Sequence, residues 1–177
     1  MKNFYKTAFT AMAALTLTLT ACSDDDSGST GGGNNPSNGS YISAKVSGTN
    51  FETMNIAGHS TGMAQKTGLG DQTFISITAT SQNTNTMVIT LSGVTGTGTY
   101  NLNEDEGNEN NVSFVDVASG ISYNSTANCE GAEGTLKVTH YDNQKIEGTF
   151  QFVGKNDDDC SKSKNVTEGK FRGIFAN

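Results

Sequence analysis

From Tyr41 to the C-terminus the chain repeats with a period of two, and that period decides what it can fold into. Ile42, Ala44 and Val46 alternate with Ser43, Lys45 and Ser47. Ile75, Ile77 and Ala79 alternate with Ser76 and Thr78, and Met87, Ile89 and Leu91 with Val88 and Thr90. The same pattern returns in Leu136 and Val138, in Ile146, Phe150 and Phe152, and in Phe171 and Phe175 opposite Lys170 and Arg172. Apolar residues two apart share one face of an extended strand, whereas a helix would require spacings of three and four. The runs are rich in Thr, Ile, Val and Phe and end in Gly, Asn or Asp, the residues of strand boundaries. Asp142-Asn143 and Gly68-Leu69-Gly70 read as tight hairpin turns. No amphipathic helix stands out. The fold class predicted is all-β, an antiparallel β-sandwich or flattened β-barrel of about eight to ten strands.

The alternation starts only at Tyr41, and what precedes it is of two kinds. Ser27 to Ser40 reads SGSTGGGNNPSNGS, with the only proline of the chain and no large apolar residue. Such a segment cannot bury enough surface to offset its ordering entropy and behaves as a flexible tether. Before it, Met1 to Lys6 carries two lysines and no acid, and an apolar stretch follows from Thr7 to Thr20. A bilayer-spanning helix needs about 20 residues, so this run is too short to cross. A basic start and a short apolar run make a secretory signal peptide.

The end of that leader is more specific. Leu19-Thr20-Ala21-Cys22 resembles the bacterial lipobox, in which a small residue precedes an obligatory cysteine. The resemblance implies cleavage after Ala21 and acylation of Cys22, which becomes the first residue of the mature chain. Two or more acyl chains give stable attachment, at about 0.8 kcal/mol per buried CH₂. Ser23-Asp24-Asp25-Asp26 behind the cysteine resembles the short acidic export signal of Bacteroidota surface lipoproteins. Exposure at the outside of the outer membrane is the expectation. An outer-membrane protein facing inward, and inner-membrane retention, are the competing addresses. The organisation expected is therefore 1–21 signal peptide, 22–40 lipidated cysteine and tether, and 41–177 a single all-β domain, a length within the usual range for one domain.

Charge narrows the partners. The chain carries a formal charge of −7, and loss of Lys2 and Lys6 with a leader that holds no acid takes the mature chain to −9. Nucleic acid is excluded by the same reasoning, since its recognition needs clustered basic residues. Lying flat on anionic headgroups is disfavoured as well. The membrane is expected as a partner only through the lipid at Cys22, and a protein of the envelope remains a candidate.

Two further cysteines remain. Cys129 lies just before the first strand of a closing meander (about 133–141, 144–153 and 165–175), and Cys160 lies between its second and third strands. An up-down-up meander brings those points to the same end of the sheet. Export to an oxidising compartment permits a Cys129–Cys160 disulfide. Closing a loop of about 30 residues contributes up to about 3.5–4 kcal/mol in the chain-entropy model. Two separate thiols are the alternative. Neither cysteine has a metal-ligand partner nearby in sequence, so no zinc site is expected.

One stretch matches a catalytic motif. Gly58-His59-Ser60-Thr61-Gly62 fits G-x-S-x-G, the turn that exposes a serine nucleophile in α/β-hydrolases. The surrounding sequence offers no helix after it, no α/β alternation and no glycine-rich oxyanion loop. His140, one of two histidines, sits inside a period-two run. The stretch reads as a loop between strands, and a hydrolase using Ser60 would need Ser60 and His140 within hydrogen-bond reach. No catalytic residue, cofactor or metal is assigned.

Acidic stretches at Asn101–Glu109 and Asn156–Asp159 offer oxygen ligands of the kind calcium prefers but lack the spacing of a calcium loop. Charged hairpin loops that keep strand edges apart explain them equally. Tyr100, Tyr123 and Tyr141 are candidates to stack on sugars, though strand tyrosines commonly pack with a wet hydroxyl. The absence of tryptophan argues against a carbohydrate platform.

Four glycine–aromatic stretches run along the domain: Val46-Ser-Gly48-Thr-Asn50-Phe51, Gly98-Thr99-Tyr100-Asn101-Leu102, Ile146-Glu-Gly148-Thr-Phe150-Gln-Phe152 and Thr167-Glu-Gly169-Lys-Phe171. In that order they resemble small lipoproteins of Bacteroidota, flavobacterial ones above all, whose function is not known. The resemblance implies an all-β lipoprotein domain and supplies no site residues. The function expected is a non-enzymatic structural or interaction module on a lipid anchor. A small-ligand or glycan-binding lipoprotein is the alternative.

Overall fold

In the structure, a computed structural model that describes residues 38–68, 72–102 and 109–176, the period-two runs become the long strands. In chain order the strands are β1 (Tyr41–Val46), β2 (Thr49–Glu52), β3 (Asn55–Ile56), β4 (His59–Ser60), β5 (Met63–Thr67), β6 (Phe74–Thr80) and β7 (Thr86–Ser92). There follow β8 (Gly98–Asn101), β9 (Asn111–Asp116), β10 (Ile121–Asn124), β11 (Glu133–Tyr141), β12 (Lys145–Lys155) and β13 (Ser163–Ile174). No helix occurs among the described residues. The expected all-β, antiparallel class is what forms. The count exceeds the expected eight to ten because β2, β3, β4, β8 and β10 have four residues or fewer, too short for a period to show in sequence.

One curled antiparallel sheet runs β2-β1-β13-β12-β10-β9-β7-β6-β5. A side branch leaves it at β12, where β11 pairs with β12 and β8 pairs with β11. β12 explains the branch. Its edge pairs with β11 from Ile146 to Val153, then with β10 at Lys155 alone. The sheet curls until its two ends meet across the interior. Isolated bridges Ser40↔Gly62 and Thr53↔Ser81 tie β1 and β2 to the far end of the curl. The inward positions fill the core: Ile42, Ile75, Ile77, Met87, Ile89, Leu91, Leu136 and Ile146 are fully shielded from solvent. Phe150 packs between Phe152 and Phe171, with ring centres 6.4 Å from each.

Two glycines on the inward face are required by close approach. A Cβ on Gly148 would lie 2.2 Å from the Lys137 carbonyl oxygen and 2.7 Å from the Phe171 ring, and one on Gly169 would lie 2.5 Å from the Phe150 carbonyl oxygen. The last two glycine–aromatic stretches of the sequence thus report packing: Gly148 and Gly169 leave the room that the Phe171 and Phe150 rings occupy, whereas a Cβ on Gly48 would meet nothing within 4 Å.

One irregularity has consequences for the surface. Val166 and Phe171 both point inward although their numbers differ in parity. A bulge at Glu168, with φ of 54°, shifts the register of β13 against both β1 and β12. A bulge inserts an extra residue, bends the strand and increases its twist.

The described residues just ahead of the boundary set at residue 41 are already tied into the domain. Ser40 is buried and pairs with Gly62, and Arg172 Nε donates to the Gly39 carbonyl at 3.0 Å. The leader, Cys22 and most of the tether lie outside the described residues, as do residues 69–71 of the expected Gly68-Leu69-Gly70 turn and residues 103–108 of the first acidic stretch.

Candidate functional site

The serine motif has a structural reading at every position. Asn55 pairs with Ser60 and Ile56 with His59, leaving Ala57 and Gly58 as the two-residue turn of a hairpin. Both have positive φ, 52° and 86°, as a type I′ turn demands. Gly62 meets the chain at Ser40, where a Cβ would sit 2.2 Å from the Ser40 carbonyl oxygen. Between these glycines Ser60 donates its hydroxyl to that same carbonyl and accepts the Gly62 N–H at 3.1 Å. His140 is held elsewhere, its Nε2 2.8 Å from Asp142 Oδ2 in the turn between β11 and β12. The His140 hydrogen bond, with the Gln144 and Lys145 backbone N–H groups, lowers the Asp142 pKa to about 2. Ser60 and His140 therefore have separate partners, and the glycine spacing follows from a hairpin and a close crossing.

The expected disulfide is present between Cys129 and Cys160, with Cα atoms 5.5 Å apart. It joins the β10–β11 loop to the β12–β13 loop at the place where β12 changes neighbours from β11 to β10. The second acidic stretch lies beside it and is spent on the loop itself. Asp157 accepts from Asn124 Nδ2 at 2.8 Å and from the Asn128 N–H at 3.1 Å. Asp159 accepts from the Ser161 hydroxyl at 2.6 Å, and this bond chiefly lowers its pKa. Among the described residues no group of three or more His, Cys, Asp or Glu side chains could hold a metal ion. The tyrosines pack: Tyr123 is buried beside Phe114, Tyr141 lies against the core under Lys66, and Tyr100 gives its hydroxyl to the Gly96 carbonyl at 2.9 Å.

A further surface feature is a groove on the outward face of β8, β11, β12 and β13. Its larger hollow, about 530 Å³, is lined by Asn101, Glu133, Thr135, Gln151, Val153, Asn165 and Thr167. A second hollow of about 370 Å³ continues it through Lys137, Thr149, Glu168 and Lys170, and Thr135 and Gln151 line both. Strand register builds the lining in rows. Asn101 stands opposite Thr135, and Thr135 opposite Gln151. Glu133 faces Val153, which faces Asn165, and Lys137 faces Thr149, which faces Lys170. The hollows meet where the Glu168 bulge breaks the pairing opposite Gln151, so the extra twist at the bulge shapes the groove. Its outward side chains are mainly hydroxyl and amide, with two lysines and two glutamates in balance, over apolar surface from Phe150, Phe152 and Val153; Glu168 is bridged to Lys45 at 2.8 Å. These groups can exchange many hydrogen bonds with an extended polar partner.

A family model described as a domain of unknown function, DUF6252, matches residues 59–174. The chain belongs to this family. The match takes in β4 to β13 and so includes the whole groove. No curated protein and no solved structure matches the chain.

Sequence reasoning did not find the groove. Its residues are the polar half of the alternation, which reads as ordinary solvent-facing strand. A signal was present in the phase break between Val166 and Phe171, which requires a bulge between them.

Proposed function

We propose that the protein is a non-enzymatic interaction module, anchored by lipid at Cys22 to the outer membrane and exposed at the cell exterior, with the groove on β8–β11–β12–β13 as its contact face. The observation that carries the interaction role is the groove itself. It is an open hollow with a polar rim and an apolar base, set on paired strands whose backbone positions are fixed by the packing beneath them. The address rests on the sequence around Cys22: a lipobox-like end to the leader, an acidic run behind the cysteine and a Gly/Ser/Asn tether long enough to lift the domain off the surface. The contact is with another component of the envelope.

Intact cells treated with an impermeant protease, with and without Cys22→Ala, test the address. The reading expects the domain to be shaved from intact wild-type cells and the variant to appear in the soluble fraction. Complete protection of the wild-type protein, with degradation only after lysis, overturns surface exposure. A Cys22→Ala protein that stays in the membrane fraction overturns the lipid anchor.

The groove favours an extended partner.

A further inference from the structure

The outward positions of β5, β6, β7, β9 and β10, neighbours in the curl, carry no charged residue. The charged members of these strands, Lys66 and Asp116, are in phase with the inward side. Lys66 stands 4.8 Å from the centre of the Tyr141 ring, and Asp116 follows the buried Phe114 by two residues. Register sets the outward side chains in rows of hydroxyl and amide. Gln65, Ser76, Thr90 and Asn111 stand opposite one another across four strands.

The other side of the core is different. β13 packs across the interior from β5 and β6, so close that a Cβ on Gly173 would lie 3.0 Å from Ala64 and from Ile77. Outward positions of β11, β12 and β13 include Glu133, Lys137, Glu147, Lys155, Lys170 and Arg172. A chain with a formal charge of −7 thus leaves one whole face uncharged.

A two-fold interface sets a patch against itself, so the patch must be self-complementary. Rows of lysine or glutamate fail that condition, because like charge meets like. Hydroxyls and carboxamides meet it, since each both donates and accepts. Interface cores are depleted in charge and enriched in Met and aromatic residues. Met63 and Phe74 lie on this face, 66% and 41% exposed. Five strands about 4.8 Å apart, with a rise of about 3.3 Å per residue, present roughly 450 Å² of flat face. Two such faces remove about 1,000 Å² from water once side-chain relief is counted, the lower bound for a specific interface. A contact of that size is weak in free solution and strengthened where tethering raises the effective concentration.

We propose that this uncharged face pairs with the same face of a second copy of the chain, back to back, leaving the groove of each copy open on the far side. The proposal does not depend on the contact role given to the groove.

The test uses the full chain on intact cells, with a photo-crosslinking amino acid at position 78, in the face. The expected product is an adduct of twice the chain's mass that yields peptides of this chain alone. β7 is the middle strand of the five, so a two-fold axis through the face passes close to Thr90. Thr90→Lys in every copy, or Thr90→Glu in every copy, should cut the adduct about tenfold, because like charges then meet across the interface. Co-expression of the Lys and Glu variants should restore it. Gln65→Lys with Gln65→Glu, at an exposed position of the same face, keeps the charge swap open if the Thr90 variants do not fold. The proposal is overturned by no adduct from position 78, by an adduct that contains a different protein, or by an adduct that folded charge variants leave unchanged. Failure of the mixed pair to restore the adduct overturns it as well.

Discussion

On the inward side of β12, Ile146, Gly148, Phe150, Phe152 and Gly154 are all buried, and an added methyl at Gly148 would strike backbone within 2.2 Å. On its outward side, Glu147, Thr149, Gln151 and Val153 lie half-buried or exposed, and Thr149, Gln151 and Val153 line the groove. One strand supplies both sets, displaced by a single residue. The inward set is constrained by volume, because close-packed interiors register the loss or gain of one methylene. The outward set is constrained by chemistry alone. If the groove is the contact face proposed, stability and recognition are carried on alternate residues of the same strands, and substitutions should separate them.

The sharpest way to break that comparison is at its inward half. Phe171 is 1% exposed and touches Phe150 and the space left by Gly148. Phe171→Ala should cost about 4 kcal/mol, the range for deleting a buried ring. Urea unfolding checks this, and a loss under 1 kcal/mol would mean the inward face is not close-packed.

The disulfide comes next. Cys129→Ser with Cys160→Ser should lower stability by about 3.5 kcal/mol in the chain-entropy model. Amide exchange should loosen first in β10 and the start of β11, the two strands that meet β12 at the branch, while β6 and β7 keep their protection. Uniform loosening would show that the crosslink does not guard the branch.

A smaller effect follows from Asp142, exposed in the turn that joins β11 to β12. Its pKa is lowered to about 2 by His140 and the two backbone N–H groups. A carboxylate depressed in the folded state contributes stability above its unfolded pKa, 3.8, and loses it as pH falls through the folded value. The stability difference between wild type and Asp142→Asn should therefore hold at pH 5 and shrink between about pH 4 and about pH 2. A difference unchanged across that window contradicts the hydrogen bonds described.

The smallest expected change is at the outward half. Thr135→Ala with Gln151→Ala should alter stability by no more than about 0.5 kcal/mol, as surface substitutions do. A loss of several kcal/mol would place those side chains in the fold and not on a contact surface.

The class of the fold was legible from Ile42, Ile75, Met87 and Leu136 onward, because an alternation against a buried face is a direct consequence of strand geometry. The Cys129–Cys160 pairing was legible too, since a meander of known order puts its alternate loops at one end. What escaped was whatever depends on a break in that order. The bulge at Glu168 flips the phase of β13, so Lys164 turns inward and the outward rows open into a groove. Gly58 and Gly62 mimic a catalytic spacing although a type I′ turn and a crossing at Ser40 require them. Sheet branching at Lys155 left no trace in composition at all.

The most direct test of the account places a photo-crosslinking amino acid at position 135, in the groove, and separately at the exposed His59 on β4, in otherwise unaltered protein on intact cells. The account predicts a discrete higher-mass adduct from position 135 and none from position 59. Equal adducts from both positions, or none from position 135, would contradict a contact role for the groove.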